Sequence, residues 1–97
     1  MPAYVIVDLQ ELIDADKLNA YRPHGAAAVE KYGGRYIARG GETASLEGNW
    51  TSQRIAILEF ESLERARAWY DSPEYTAARK VRDGASRTRI LAVDGVA

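Results

Sequence analysis

Residues 3–9 read AYVIVDL, a run rich in β-branched side chains, which predicts the first strand of a sheet. Its apolar side chains fall on both alternating faces of the strand, and Asp8 interrupts them. Two later runs share the pattern, IAILEF at residues 55–60 and ILAV at residues 90–93. Strands that are apolar on both faces are typical of a sheet that is covered on both sides.

The segment after the first strand predicts a helix. Asp14 is a candidate N-cap, and apolar or small residues recur at helical spacing over residues 18–32. Pro23 lies inside this pattern and has no N–H, so we expect the helix to kink or restart there. The pair Gly33-Gly34 should end the helix, with one glycine in the left-handed conformation.

The predicted order of elements is β-α-β-β-α-β, and the start signal Ser72-Pro73-Glu74 splits the second helix. The pair Gly40-Gly41 after the second strand indicates a bulge or a close backbone approach. This order predicts an α+β, ferredoxin-like fold in one domain, residues 1–97. Its four-stranded antiparallel sheet has strands one and three in the centre and the helices on one face. The later strands are expected at residues 35–39, 53–60 and 88–93, and the later helices start at Ser62 and Ser72, the second ending near Asp83.

Helices on one face leave the other face of this sheet uncovered. Because the strands are apolar on both faces, the uncovered face would be a large apolar patch on so small a monomer. We therefore expect a homodimer in which the sheet face of a second copy covers it. The functional unit would then be two chains.

Composition restricts the chemistry of the chain. The 97 residues carry 13 Lys plus Arg against 14 Asp plus Glu, a net charge of -1, which does not favour nucleic acid or an anionic membrane as a partner. The absence of cysteine excludes a disulfide framework and a thiolate metal cage, and a single histidine disfavours a metal site. The longest apolar runs are far shorter than a membrane span, and the chain opens on a strand rather than a signal peptide. We expect a small cytoplasmic protein with no metal and no cofactor.

Five motifs follow one another along the chain: YGGRY at 32–36, ARGG at 38–41, LEGNW at 46–50, LEF at 58–60 and AWYDSPEY at 68–75. Together they resemble the small bacterial proteins of the family called domain of unknown function 1330, in the dimeric α+β barrel superfamily. The resemblance implies the same fold and a dimer whose two sheets form a barrel. It implies no activity, because the superfamily includes cofactor-independent monooxygenases, haem-degrading enzymes, lactone isomerases and plain binding proteins.

Arg39 is the most suggestive candidate for a ligand-binding residue. It is predicted to share a strand face with Arg35 and Ile37, beside Gly40-Gly41. A glycine pair lets a ligand approach the backbone, and a neighbouring arginine can clamp a carboxylate or an enolate. The alternative is a structural ion pair with Glu59 or Asp8.

The candidate proton-transfer groups are two carboxylates and one imidazole. Asp8 and Glu59 interrupt apolar strands that should be neighbours, and two close carboxylates would form an acid/base pair. Alternatively, each lies at a strand end, solvated or paired with an arginine. His24 follows Pro23 and is either a general base or an exposed helix residue.

Four further residues are candidate ligand contacts. Tyr70 lies on the apolar stripe of its helix, and Ser72 lies at the joint between two short helices. Their alternative roles are core packing for Tyr70 and helix capping for Ser72. Trp50, in a hairpin turn, is either a ligand lid or a dimer contact, and Tyr4 begins the first strand.

Two functional hypotheses remain. In the first, the chain is a homodimer that binds a small molecule in a pocket between helices and sheet. In the second, it is a cofactor-independent enzyme, monooxygenase-like or isomerase-like, acting on a small anionic or carbonyl compound. Arg39 would then orient the substrate, Tyr70 would hydrogen-bond it, and His24 or Glu59 would move a proton. An RNA-binding role is disfavoured because the third strand offers Ile55, Ala56, Ile57 and Leu58 instead of aromatic residues.

Overall fold

The computed structural model describes residues 1–96. The domain predicted for residues 1–97 therefore includes one residue, Ala97, that lies outside the described residues. The described chain forms four strands and three helices. No helix within residues 1–96 is both long and apolar enough to cross a bilayer. In chain order the elements are β1 (Ala3–Leu12), α1 (Ala15–Lys31), β2 (Arg35–Arg39), β3 (Arg54–Phe60), α2 (Leu63–Asp71), α3 (Pro73–Val81) and β4 (Ser86–Asp94).

The sheet is antiparallel with the strand order β2-β3-β1-β4, which confirms the predicted fold and its two central strands. Val5 pairs with Leu58 and lies on the face that packs against the helices, here called the helix face. The opposite face, here called the open face, carries Tyr4, Ile6 and Asp8 of β1. The core lies between the helix face and the helices, where Val5, Leu58, Phe60, Trp69 and Tyr75 are at most 2% exposed.

Helix α1 begins and ends where the sequence predicts. The Asp14 carboxylate accepts hydrogen bonds from the backbone N–H groups of Asp16 and Lys17, and Gly33 ends the helix at a φ of +77°. The expected restart at Pro23 is wrong, because α1 continues through it as one helix. Buried residues follow Pro23 in the same helix, and we attribute its continuity to their packing, which outweighs the lost hydrogen bond.

The β-bulge in β2 lies earlier in the strand than the predicted irregularity at Gly40-Gly41. The register shifts between Tyr36 and Ala38, whereas the strand ends before Gly40. This bulge turns both Tyr36 and Arg39 toward the helix face, opposite Leu58 and Ala56. Arg39 therefore does not share a face with Arg35, contrary to the sequence-based expectation. Gly40 has a φ of +71°, and a Cβ there would lie 3.0 Å from the Arg54 side chain.

Candidate functional site

A cavity of about 90 Å³ lies between the helices and the helix face of the sheet. Its walls are largely apolar or aromatic, and they come from all three helices and all four strands. Apolar and aromatic walls with a few polar groups are the usual lining of a small-molecule site. Its apolar and aromatic lining residues are Val7, Leu9, Leu18, Tyr21, Val29, Tyr36, Ala56, Leu58, Trp69 and Tyr75.

Four arginines join this lining, one each from α1, β2, β3 and the end of α3: Arg22, Arg39, Arg54 and Arg82. No acidic side chain lines the same cavity, and none of the four forms an ion pair within residues 1–96. Burial lowers the pKa of Arg54, and repulsion from the guanidinium groups of Arg22 and Arg39 lowers it further. The cavity therefore carries positive charge that no protein carboxylate in the described chain balances.

Tyrosine rings and hydroxyls form part of the cavity wall. The hydroxyls of Tyr21 and Tyr75 are 2.7 Å apart, and their rings meet edge to face. Burial and the neighbouring Tyr75 raise the pKa of Tyr21 well above its ordinary value, so this hydroxyl stays protonated at neutral pH. The Arg39 guanidinium stacks on Tyr36 at 4.1 Å, and that of Arg82 lies 5.2 Å from the Tyr21 ring. Aromatic faces hold these cations near the cavity without neutralising them.

A second cavity of about 280 Å³ lies beside the first, under α2. Val5, Ile90 and Ala92 contribute its sheet wall, and Ala66 and Tyr70 contribute its helix wall. Three residues, Trp69, Arg82 and Thr88, line both cavities. The two cavities therefore share part of their walls.

One family model spans residues 2–96, almost the entire chain. The chain belongs to the family described as domain of unknown function, DUF1330. The resemblance carried by the five motifs is thereby confirmed. No curated protein matches the sequence.

Solved structures with the same fold accompany this DUF1330 match. A protein of unknown function from Rhodopseudomonas palustris superposes with a TM-score of 0.74 at 18% identity, over 99% of this chain and 83% of that one. A dimeric ferredoxin-like protein of unknown function from Jannaschia sp. CCS1 gives 0.69 at 12% identity, over 98% and 100%. The cofactor-independent oxygenase SnoaB from Streptomyces nogalater gives 0.64 at 8% identity, over 99% and 94%. At these identities the likeness establishes the fold of this DUF1330 chain.

The predicted ligand contacts fall in different parts of this fold. Arg39 lines the first cavity and Tyr70 the second. Ser72 lines neither cavity, and it caps α3, because its Oγ accepts from the Tyr75 backbone N–H at 3.0 Å and donates to the Trp69 carbonyl at 2.7 Å. The capping role of Ser72 is therefore confirmed.

Asp8 and Trp50 come together on the open face, away from both cavities. The Asp8 carboxylate, only 4% exposed, accepts hydrogen bonds from Trp50 Nε1 at 3.1 Å and from Ser52 Oγ and Gln10 Nε2 at 2.5 Å. Burial would raise the pKa of Asp8, but these hydrogen bonds, with the charge of Arg89, hold it below its ordinary value. Asp8 thus fastens the segment of residues 40–53, here called the arm, to the sheet.

Of the two alternatives for Asp8 and Glu59, the carboxylate pair is wrong, and each carboxylate instead lies beside an arginine, Arg89 for Asp8 and Arg35 for Glu59. Glu59 lies opposite Tyr4 in the register, four residues from Asp8 along β1, or about 13 Å. Its carboxylate accepts from Arg35 Nε at 2.7 Å, and this bond, with a further one from Tyr4, lowers the pKa of Glu59. Arg39 pairs with neither carboxylate, so its suggested structural ion pair is also wrong.

His24 is exposed on α1, Glu59 is half-buried on the open face, and neither residue lines a cavity. Neither residue is placed to move a proton within these cavities. Within residues 1–96, no cluster of three or more His, Asp or Glu side chains is arranged to hold a metal ion.

Several cavity residues were missed by the reading of the sequence. Arg54 alternates with Ala56 and Leu58 along β3, so the period of two would have placed it on the same face. Tyr21 lies on the apolar stripe of α1, which is a signal for burial. Arg22 has no such signal, because it is brought close to Arg54 only by the tertiary fold.

Proposed function

We propose that this DUF1330 chain is a cytoplasmic, single-domain protein that forms a homodimer and binds a small organic anion in the cavity between its helices and its sheet. The unbalanced positive charge around an apolar cavity carries this proposal. Arg39, Arg54 and Arg22 would meet the anionic group, and the aromatic wall would meet the apolar body of the ligand.

Binding is favoured over catalysis by the position of the candidate bases. The enzyme hypothesis needs His24 or Glu59 beside the ligand, and neither lines a cavity. The arginines provide orientation and charge, but they do not accept protons at neutral pH. The likeness to SnoaB supports a shared fold only.

We expect benzoate, used as the simplest probe with a carboxylate and an apolar body, to bind saturably and more weakly as salt is added. Arg54→Gln should weaken this binding about tenfold, because it removes a charge-assisted hydrogen bond and one of the positive charges that face the carboxylate. Arg39→Gln should act in the same direction. Isothermal titration calorimetry at two salt concentrations measures both effects.

Arg87→Gln is the matched control, because Arg87 is an exposed β4 residue that lines neither cavity. Its affinity for benzoate should equal that of the wild type. If benzoate shows no saturable binding, or if all three arginine variants bind equally, the proposed anion site is wrong.

The homodimer is proposed to form through the open face of the sheet. Leu91 is 66% exposed and Val93 is 48% exposed, and both lie on this face beside Ile6. The related Jannaschia protein is dimeric and has the same fold. A second copy of the chain is the occupant that would bury this row of apolar side chains.

Leu91→Asp should turn the dimer into a monomer, because a buried unpaired carboxylate opposes the apolar contact. Sedimentation velocity at micromolar concentration measures the change. Ile13→Asp is the control, since Ile13 is also exposed but follows the end of β1. A wild-type chain that sediments as a monomer would overturn the proposed dimer.

A further inference from the structure

Two buried donors remain without an acceptor at the wall that the two cavities share. Trp69 is 2% exposed, and its indole N–H has no hydrogen-bond partner within residues 1–96. The Nε–H of Arg82 is also buried and unpartnered. Both residues line both cavities. Buried polar groups almost always have a partner, so a pair of such donors at one cavity wall needs an explanation.

The groups packed around the Trp69 indole do not provide an acceptor. The rings of Phe60 and Tyr75 lie 5.2 Å and 4.3 Å from it, centroid to centroid. The Tyr75 hydroxyl bonds to that of Tyr21 and the Ser72 hydroxyl caps α3, and neither of them accepts a hydrogen bond from the indole. Within residues 1–96 the indole has no acceptor, so a molecule in the cavity, either water or a ligand, has to supply it.

We propose that the two cavities form one binding site, and that Trp69 and Arg82 recognise a carbonyl oxygen of the same anion whose charged group meets the arginines. A carbonyl oxygen has two lone pairs and can accept from both N–H groups. The ligand class is then an organic acid that also carries a keto or acyl group. This inference rests on the proposed anion site and adds a second recognition point to it.

The test compares two pairs of probes that differ in a single group. The 3- and 4-isomers of acetylbenzoate carry a carboxylate and a carbonyl, and the corresponding isopropenylbenzoates replace the carbonyl oxygen with a CH₂ group of similar shape. At least one acetylbenzoate should bind about tenfold more tightly than its hydrocarbon counterpart, because it satisfies donors that otherwise stay unpaired. Calorimetry measures the ratio.

Trp69→Phe should reduce this ratio to about twofold or less, since it removes the indole N–H and keeps an aromatic ring. Trp50→Phe is the matched control, because the Trp50 indole donates to Asp8 on the open face. In ¹H–¹⁵N spectra, acetylbenzoate should shift the indole N–H signal of Trp69 and leave that of Trp50 unchanged. The wild-type ratio and this spectrum decide the question even if Trp69→Phe fails to fold.

The outcomes separate the two proposals. If benzoate and all four probes fail to bind, the proposed anion site is wrong, and the proposed carbonyl recognition is wrong as well. If benzoate binds through Arg54 but each acetylbenzoate equals its isopropenyl counterpart, only the carbonyl recognition is overturned. If Trp50→Phe changes the ratio as much as Trp69→Phe does, the assignment to Trp69 is wrong.

Discussion

Asp8→Ala is expected to lower the free energy of unfolding by about 3 kcal/mol. The side chain of Asp8 is buried and accepts hydrogen bonds from Gln10, Trp50 and Ser52. Alanine would leave these donors without their acceptor and would release the arm from β1. Urea denaturation followed by circular dichroism measures the loss.

The same carboxylate should make stability depend on pH. The pKa of Asp8 in the folded chain lies below its ordinary value of 3.8, so the unfolded chain takes up the proton more readily. Its contribution is therefore complete above the ordinary pKa and is lost as the pH falls through the lower pKa of the folded state. Asp8→Ala should make the loss of stability below about pH 4 less steep than in the wild type.

Glu47→Ala is the control for both measurements. Glu47 is an exposed arm residue, so its removal should change the unfolding free energy by no more than about 0.5 kcal/mol. The Trp50 indole signal should shift in Asp8→Ala and stay in place in Glu47→Ala. Equal stability of the two variants at pH 7 would show that Asp8 does not anchor the arm.

The hydrogen bonds of Asp8 could be predicted from the sequence only in part. The sequence shows that Asp8 interrupts the apolar run AYVIVDL, and the order of the elements predicts the two central strands. Its partners Trp50 and Ser52, however, are 42 and 44 residues away along the chain. No local pattern predicts where a loop without regular structure folds back. The capping residues Asp14 and Ser72 were predictable because their partners lie two or three residues away.

For Arg39, the local sequence predicts the wrong face of the sheet. Strict alternation would place it with Arg35, but the bulge between Tyr36 and Ala38 moves it to the helix face. The bulged segment contains Ile37 and neither glycine nor proline, so it carries no sequence signal. One unpaired residue therefore decides whether this arginine lines the cavity or lies on the open face.

Gly34→Ala is the second substitution with a large expected effect, a loss of about 2–3 kcal/mol in the free energy of unfolding. A Cβ at this position would lie 2.6 Å from the Phe60 ring and 2.9 Å from Val29 Cγ1. Phe60 is only 1% exposed and packs on Trp69 at 5.2 Å between ring centroids. A shift of the Phe60 ring would therefore disturb its packing on Trp69, which lines both cavities.

Gly41→Ala is the matched control, because a Cβ there has no neighbour within 4 Å. Its stability should equal or slightly exceed that of the wild type, since alanine restricts the unfolded chain. Phe60→Leu should partly rescue Gly34→Ala, so that the double variant loses less than the sum of the two single losses. If the losses are additive, or if Gly34→Ala is as stable as Gly41→Ala, the contact with Phe60 does not determine the need for glycine. A rescue would instead show that residue 34 keeps Phe60, and through it Trp69, in place at the cavity wall.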